Sequence, residues 1–201
     1  MQKKRIISLF LTLVFALALL YTLSAAAEVR QIPANWLLAK LDDKAYTKVA
    51  EISGLEGYSL LEGITPNSTG IEPELYYAPE DAENPVRFLY YTTGYGAPKT
   101  LANIAVRSYQ NFYDQFTASE IIETTIGEKD CLTFSYTAEY PDVNETSTVY
   151  EQSAVCYFPA NEDCFVACII SLAFDSSDEF LSAEELSEYT ALAGNALQMA
   201  Q

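Results

Sequence analysis

Apolar and polar residues alternate from Leu132 to Glu139, with Leu132, Phe134, Tyr136 and Ala138 separated by Thr133, Ser135, Thr137 and Glu139. A period of two predicts a strand with one buried and one wet face. After a loop from Pro141 to Thr146, the run Thr148 to Phe158 is rich in β-branched and aromatic residues, and residues 159–163 turn the chain back. The return run, Cys164 to Phe174, is apolar on both parities, the pattern of a strand covered on both faces. Ser182 and Glu185 form a capping-box signature, and Leu186, Tyr189, Ala193 and Leu197 recur at helical spacing behind it. Gly194 inside this helix predicts close packing, since glycine there costs about 1 kcal/mol against alanine.

The same signals extend upstream. Thr100 is placed to cap a helix whose Leu101, Ile104, Ala105, Ser108, Phe112 and Phe116 share one face. Strands are predicted at Tyr58 to Ile64, Glu74 to Ala78, Val86 to Thr93 and Ile121 to Ile126, the last leading through the turn at Gly127 to Asp130 into the alternating run. From Asn35 to Ile52, the spacing of Leu38, Leu41, Ala45, Val49 and Ile52 predicts a helix capped by Asn35, with a short strand at Tyr46 to Val49 as the alternative. The expected order is β-β-β-α-β-β-β-β-α behind a short N-terminal helix: an α+β fold with an antiparallel sheet sandwiched between helices.

The first 27 residues stand apart. Lys3, Lys4 and Arg5 precede an apolar run from Ile6 to Leu23 and the small residues Ser24 to Ala27, the pattern of a secretory signal cleaved after Ala27. The alternative is an uncleaved N-terminal membrane anchor. Residues 28–201 are then expected to form one exported domain, without membrane insertion after cleavage. The chain carries a net charge of −17, and loses three positive charges with the signal. That field repels phosphate backbones and anionic head groups, which disfavours nucleic acid and membrane surfaces as partners.

Composition also limits the chemistry. The sequence has no histidine, which removes Ser-His and Cys-His nucleophile pairs and the usual zinc ligand sets. No nucleophile elbow or phosphate-binding loop occurs, and no cofactor, metal or catalytic residue is singled out. Asp175 to Glu179 resembles the start of a calcium loop, but Phe180 stands where glycine is required, so a capping role before the helix is expected. Asn67-Ser68-Thr69 and Asn144-Glu145-Thr146 match the glycosylation pattern and are read as turn residues.

Four cysteines, Cys131, Cys156, Cys164 and Cys168, in an exported chain predict at least one disulfide. If Tyr140 faces Ser147, Cys131 faces Cys156. A slip of one residue instead pairs Cys131 with Val155 or Tyr157 and frees Cys156 to meet Cys164 or Cys168. Cys164 and Cys168, about 13 Å apart along one strand, are too distant to bond to each other. The fifteen tyrosines include the clusters Tyr76-Tyr77, Tyr90-Tyr91 and Tyr95. One member of each pair is a candidate recognition surface for protein or sugar, and the bland alternative is partly buried sheet aromatics.

The helix from Thr100, the Gly127 turn into Leu132-Thr133-Phe134-Ser135-Tyr136, the hairpin from Val149 to Phe174 and the closing helix from Ala183 to Met199 resemble, over about half the chain, the PsbP-like family. That family includes the photosystem II oxygen-evolving subunit and its bacterial extracytoplasmic relatives. The N-terminal third departs, with Pro33 and Trp36 preceding the predicted helix. The resemblance implies an antiparallel sheet between helices and a binding or assembly role without catalysis, and it transfers no binding residue. The expected function is an exported non-catalytic module with a protein partner at the cell exterior. The alternatives are a hydrolase using acidic residues and a sugar-binding domain presenting tyrosines.

Overall fold

A computed structural model describes residues 33–40, 46–63, 74–94, 97–142, 144, 146–161 and 164–200. The main sheet has eight antiparallel strands: β3 (Tyr58–Gly63), β4 (Glu74–Pro79), β5 (Val86–Gly94), β10 (Cys164–Phe174), β9 (Thr148–Asn161), β8 (Lys129–Pro141) and β6 (Gln115–Ala118) in spatial order, with β7 (Ile122–Ile126) also pairing β8. A second sheet contains β1 (Trp36–Lys40), β2 (Tyr46–Ile52) and β11 (Leu197–Met199). The helices are α1 (Pro98–Phe112) and α2 (Ala183–Ala196). The fold is thus α+β, and Asn35–Gln201 form one compact unit.

Alternation along the strands sorts the side chains into two cores. Val86, Phe88 and Tyr90 of β5, Cys164 to Leu172 on the even positions of β10, and Ala154, Cys156 and Phe158 of β9 pack under the small sheet and α2. Leu132, Phe134, Tyr136 and Ala138 of β8, with Val155, Tyr157 and Ala167, pack on the other face against Ala102 of α1. The helices therefore lie on opposite faces. β10 runs between β5 and β9 in the interior of the sheet, as its two-sided apolar pattern requires.

The predicted helix from Asn35 to Ile52 is not formed. Its described residues make the antiparallel pair β1 and β2, whose Leu37, Val49, Ala50 and Ile52 close one core. Asn35 does not cap a helix: its Nδ2 donates to the Ile52 carbonyl (2.8 Å), and its own carbonyl accepts from the Ile52 amide (2.9 Å). Thr92, fully buried on β5, donates to the Leu38 carbonyl at 3.0 Å and ties the two sheets together. Tertiary pairing here overrides a helical spacing that short apolar runs share with strands.

Both helices are shorter than predicted. α1 begins at Pro98, whose missing N–H costs nothing at the first position, and ends at Phe112, with Tyr113 as its C-cap. Phe116 belongs to β6 and faces Ala138 across the ladder. α2 keeps its capping box, but residues 197–199 leave the helix and pair with β2.

Gly194 sits against β7. A Cβ there would overlap Cγ2 of Ile126 and stand 3.2 Å from the Ile126 carbonyl oxygen. In an open helix Gly→Ala would stabilise by about 1 kcal/mol; here Gly194→Ala is expected to destabilise by about 1–3 kcal/mol through overpacking. Urea denaturation of Gly194→Ala, Ile126→Ala and the double variant checks this. The double variant should be less destabilised than the sum of the singles, and simple additivity would contradict the contact.

Candidate functional site

β7 and the helix above it frame a hollow on the surface of the described residues. The turn joining β7 to β8 has Gly127 and Glu128 both at positive φ, 56° and 63°, which matches the right-handed twist of a two-residue hairpin. Lys129 Nζ, carried on that hairpin, donates to the carbonyls of Gly127 (3.0 Å) and Gly194 (2.9 Å). A cation at the carbonyl end of α2 suits the helix dipole. At the other end, Gln152 of β9 clamps Leu181, accepting from its amide (2.8 Å) and donating to its carbonyl (2.9 Å). The box that starts α2 holds the Glu185 carboxyl below its ordinary range, through hydrogen bonds from the Ser182 hydroxyl and amide. α2 is thus pinned to the sheet at both ends.

Between those pins lies a cleft of about 470 Å³, floored by β8 and β9 and walled by β7 and α2. Ile122, Ala154, Leu186 and Ala191 supply hydrocarbon, and Thr124, Ser135 and Ser187 supply hydroxyls. None of the described residues lining it is charged, on a chain with 28 acidic side chains. Such a lining can hold an uncharged group by packing and hydrogen bonds, and it offers no acid or base. A second cleft of about 430 Å³ adjoins the opposite face of β7. Pro98, Leu132, Tyr157 and Pro159 make it apolar, while Glu123 and Asp130 stand exposed at its edge.

The cysteines do not form the predicted bridge. All four are buried, and none is bridged to another of the four. Thr133, not Cys131, faces Cys156, because the register places Tyr140 opposite Val149 and not Ser147. The shift comes from the hairpin loop, where Asp142 Oδ1 accepts from the amides of Asn144 (3.1 Å) and Thr146 (2.7 Å), and the Asp142 amide donates to the Ser147 carbonyl (2.9 Å). A side chain bonding to its own loop sets the turn, and the turn sets the register. Cys156 lies directly opposite Cys168 across β9 and β10. Hydrogen bonding to Cys156, then burial, pushes the Cys131 thiol up, and burial does the same to Cys168. Thiol-reactive dye is therefore expected to leave the folded chain unlabelled and to titrate four thiols after denaturation. Fewer than four in denaturant would mean that a disulfide had formed.

The tyrosine surface is likewise corrected. Tyr90 is 0% and Tyr77 6% exposed, and Tyr90 spends its hydroxyl on the Ala193 carbonyl (3.0 Å). Tyr76 and Tyr91, on the opposite parity, are half-buried, and Tyr95 lies outside the described residues. Tyr77 and Tyr90 are therefore core aromatics of the sheet and not part of a displayed surface.

The sequence reading missed Glu151. It is 8% exposed near the start of β9 and accepts hydrogen bonds from the hydroxyls of Tyr136 (2.6 Å), Ser153 (2.9 Å) and Tyr113 (3.1 Å). Tyr109, Phe116 and Tyr140 complete the aromatic group around it. Its signal was the lone charge between Thr148 and Phe158. Its donors satisfy it, so it belongs to the framework.

No family model matches the chain, so the PsbP-like resemblance is not confirmed, and no curated protein matches it. No helix among the described residues is long and apolar enough to cross a membrane. Among solved structures, the chain is similar to the crystal structure of LpqN, involved in cell envelope biogenesis of Mycobacterium tuberculosis, with a TM-score of 0.45 and 13% identity over 76% of this chain and 83% of that one.

Proposed function

We propose that this chain is an exported, non-catalytic binding or assembly module whose ligand is seated at the cleft beneath α2. The observation that carries the reading is the uncharged lining of that cleft, with hydroxyls on hydrocarbon walls. Acid hydrolysis of the glycosidase type needs a carboxyl shielded from water beside a second one. The acids nearest the clefts, Glu123 and Asp130, are both exposed. Sugar stacking needs displayed rings, and Tyr77 and Tyr90 are inside the core. Export rests on the signal-like residues 1–27, which lie outside the described residues; mass spectrometry of secreted material beginning at Glu28 is the check. Membership of the PsbP-like family is part of the same proposal.

Ala191 lines the cleft from the exposed side of α2, so Ala191→Trp fills it at little cost to the fold. Capture of partners from native envelope by residues 28–201 is expected to fall about tenfold in this variant, with an unchanged melting temperature. Equal capture by both forms, or a clear glycan-array or hydrolase signal with no partner retained, would overturn the reading.

A further inference from the structure

We propose that β7 is a strand-addition site, on which a partner protein lays an extended segment whose side chains alternate between small apolar and basic. This rests on the binding-module reading and names its partner chemistry.

β7 pairs only with β8 among the described strands. Since ladder bonds alternate in direction, every second residue of an edge strand presents its N–H and C=O outward, a template for another chain. Other described edges are blunted. β1 carries a register shift at Leu37 and Leu38, β3 one between Leu60 and Glu62, and β6 and β11 are only four and three residues long. Bulges and short lengths are how edges are kept from pairing. β7 pairs without a shift over its whole length, and its sequence, Ile-Glu-Thr-Thr-Ile, has β-branched residues and neither Pro nor Lys. Ile122 is 53% exposed. Among the described residues no strand covers this edge.

Strand addition also needs room for alternate side chains on both faces. β7 has it, since Ile122, Glu123, Thr124 and Thr125 are all exposed, with a cleft over the sheet on each of its faces. Ile126 packs into the core beneath α2, so Ile122 and Thr124, on its parity, face the uncharged cleft, while Glu123 and Thr125 face the other. Side chains of an added strand follow the same alternation. On the α2 side they meet hydroxyls and hydrocarbon, which suits small apolar residues. On the other side their neighbours on β7 are Glu123 and Thr125, which suits a long basic side chain with its charge at the exposed Glu123 carboxylate.

The test uses residues 28–201 and three short synthetic peptides: one alternating Lys and Val, an isomer of the same composition with its residues in two blocks, and one alternating Glu and Val. The alternating Lys peptide is expected to bind about tenfold tighter than the block isomer, and to slow amide exchange within 122–126. Glu123→Lys, at a fully exposed position, is expected to weaken that peptide about tenfold and to improve the Glu peptide. Equal affinity for the alternating and block isomers, or no added protection in 122–126, would overturn the proposal. If capture of an envelope partner remains sensitive to Ala191→Trp while 122–126 stay unprotected, strand addition fails and the binding-module reading stands.

Discussion

Glu151→Ala is expected to lower stability by about 3–5 kcal/mol, because it strands several buried donors at once. The hydroxyls of Tyr136, Ser153 and Tyr113 all point at this carboxylate, and Tyr136 is 4% exposed. Each buried hydroxyl left without an acceptor costs about 1–3 kcal/mol. Glu151→Gln keeps one carbonyl acceptor and should lose less, about 1–2 kcal/mol by the same principle. Urea denaturation of both variants checks the order. A Glu151→Ala protein within about 0.5 kcal/mol of the parent would show that the tyrosines find other partners.

Raising the pH above 10 is expected to unfold the domain cooperatively. Burial pushes the phenols of Tyr77 and Tyr109 up to about 12, those of Tyr136 and Tyr157 higher still, and that of Tyr90 well above its ordinary value. Around Tyr136 and Tyr113, Glu151 adds to the shift after burial. A folded-state value above the unfolded value of about 10 means that the folded chain holds the proton more tightly. The stability linked to these phenols is therefore complete below pH 10 and is lost as pH rises from 10 toward the folded values. Each such tyrosine contributes about 1.4 kcal/mol of loss per pH unit in that window, so several acting together exceed the stability of an ordinary domain. Phenolate absorbance and circular dichroism should change together between pH 10 and 12. Gradual ionisation near pH 10 with the secondary structure intact would contradict the burial of these rings.

Elements whose pattern is dictated by their own residues were legible in the chain. Alternation in β8, apolarity on both parities of β10, the Ser182–Glu185 box and the close approach at Gly194 each follow from local geometry, and each is present. Candidate sites were less legible. The clefts need β7 under α2, and their walls come from residues as far apart as Ser119 and Ala191. No spacing in the sequence reports a hollow held open by Lys129 at one end and Gln152 at the other.

By itself the sequence determined the acidity, the periodicity of most strands and where the closing helix begins, because these depend on composition, on two-residue and three-to-four-residue repeats, and on one cap. Only the tertiary structure decided the rest. β1, β2 and β11 are strands because they pair with one another over a core that the main sheet leaves open. Cys131 does not face Cys156 because Asp142 sets the hairpin loop, and a two-residue change of register keeps every side chain on its face while changing every partner. Tyr77 and Tyr90 are core residues for a similar reason: alternation tells which residues share a face, and only the layer packed above decides whether that face is wet.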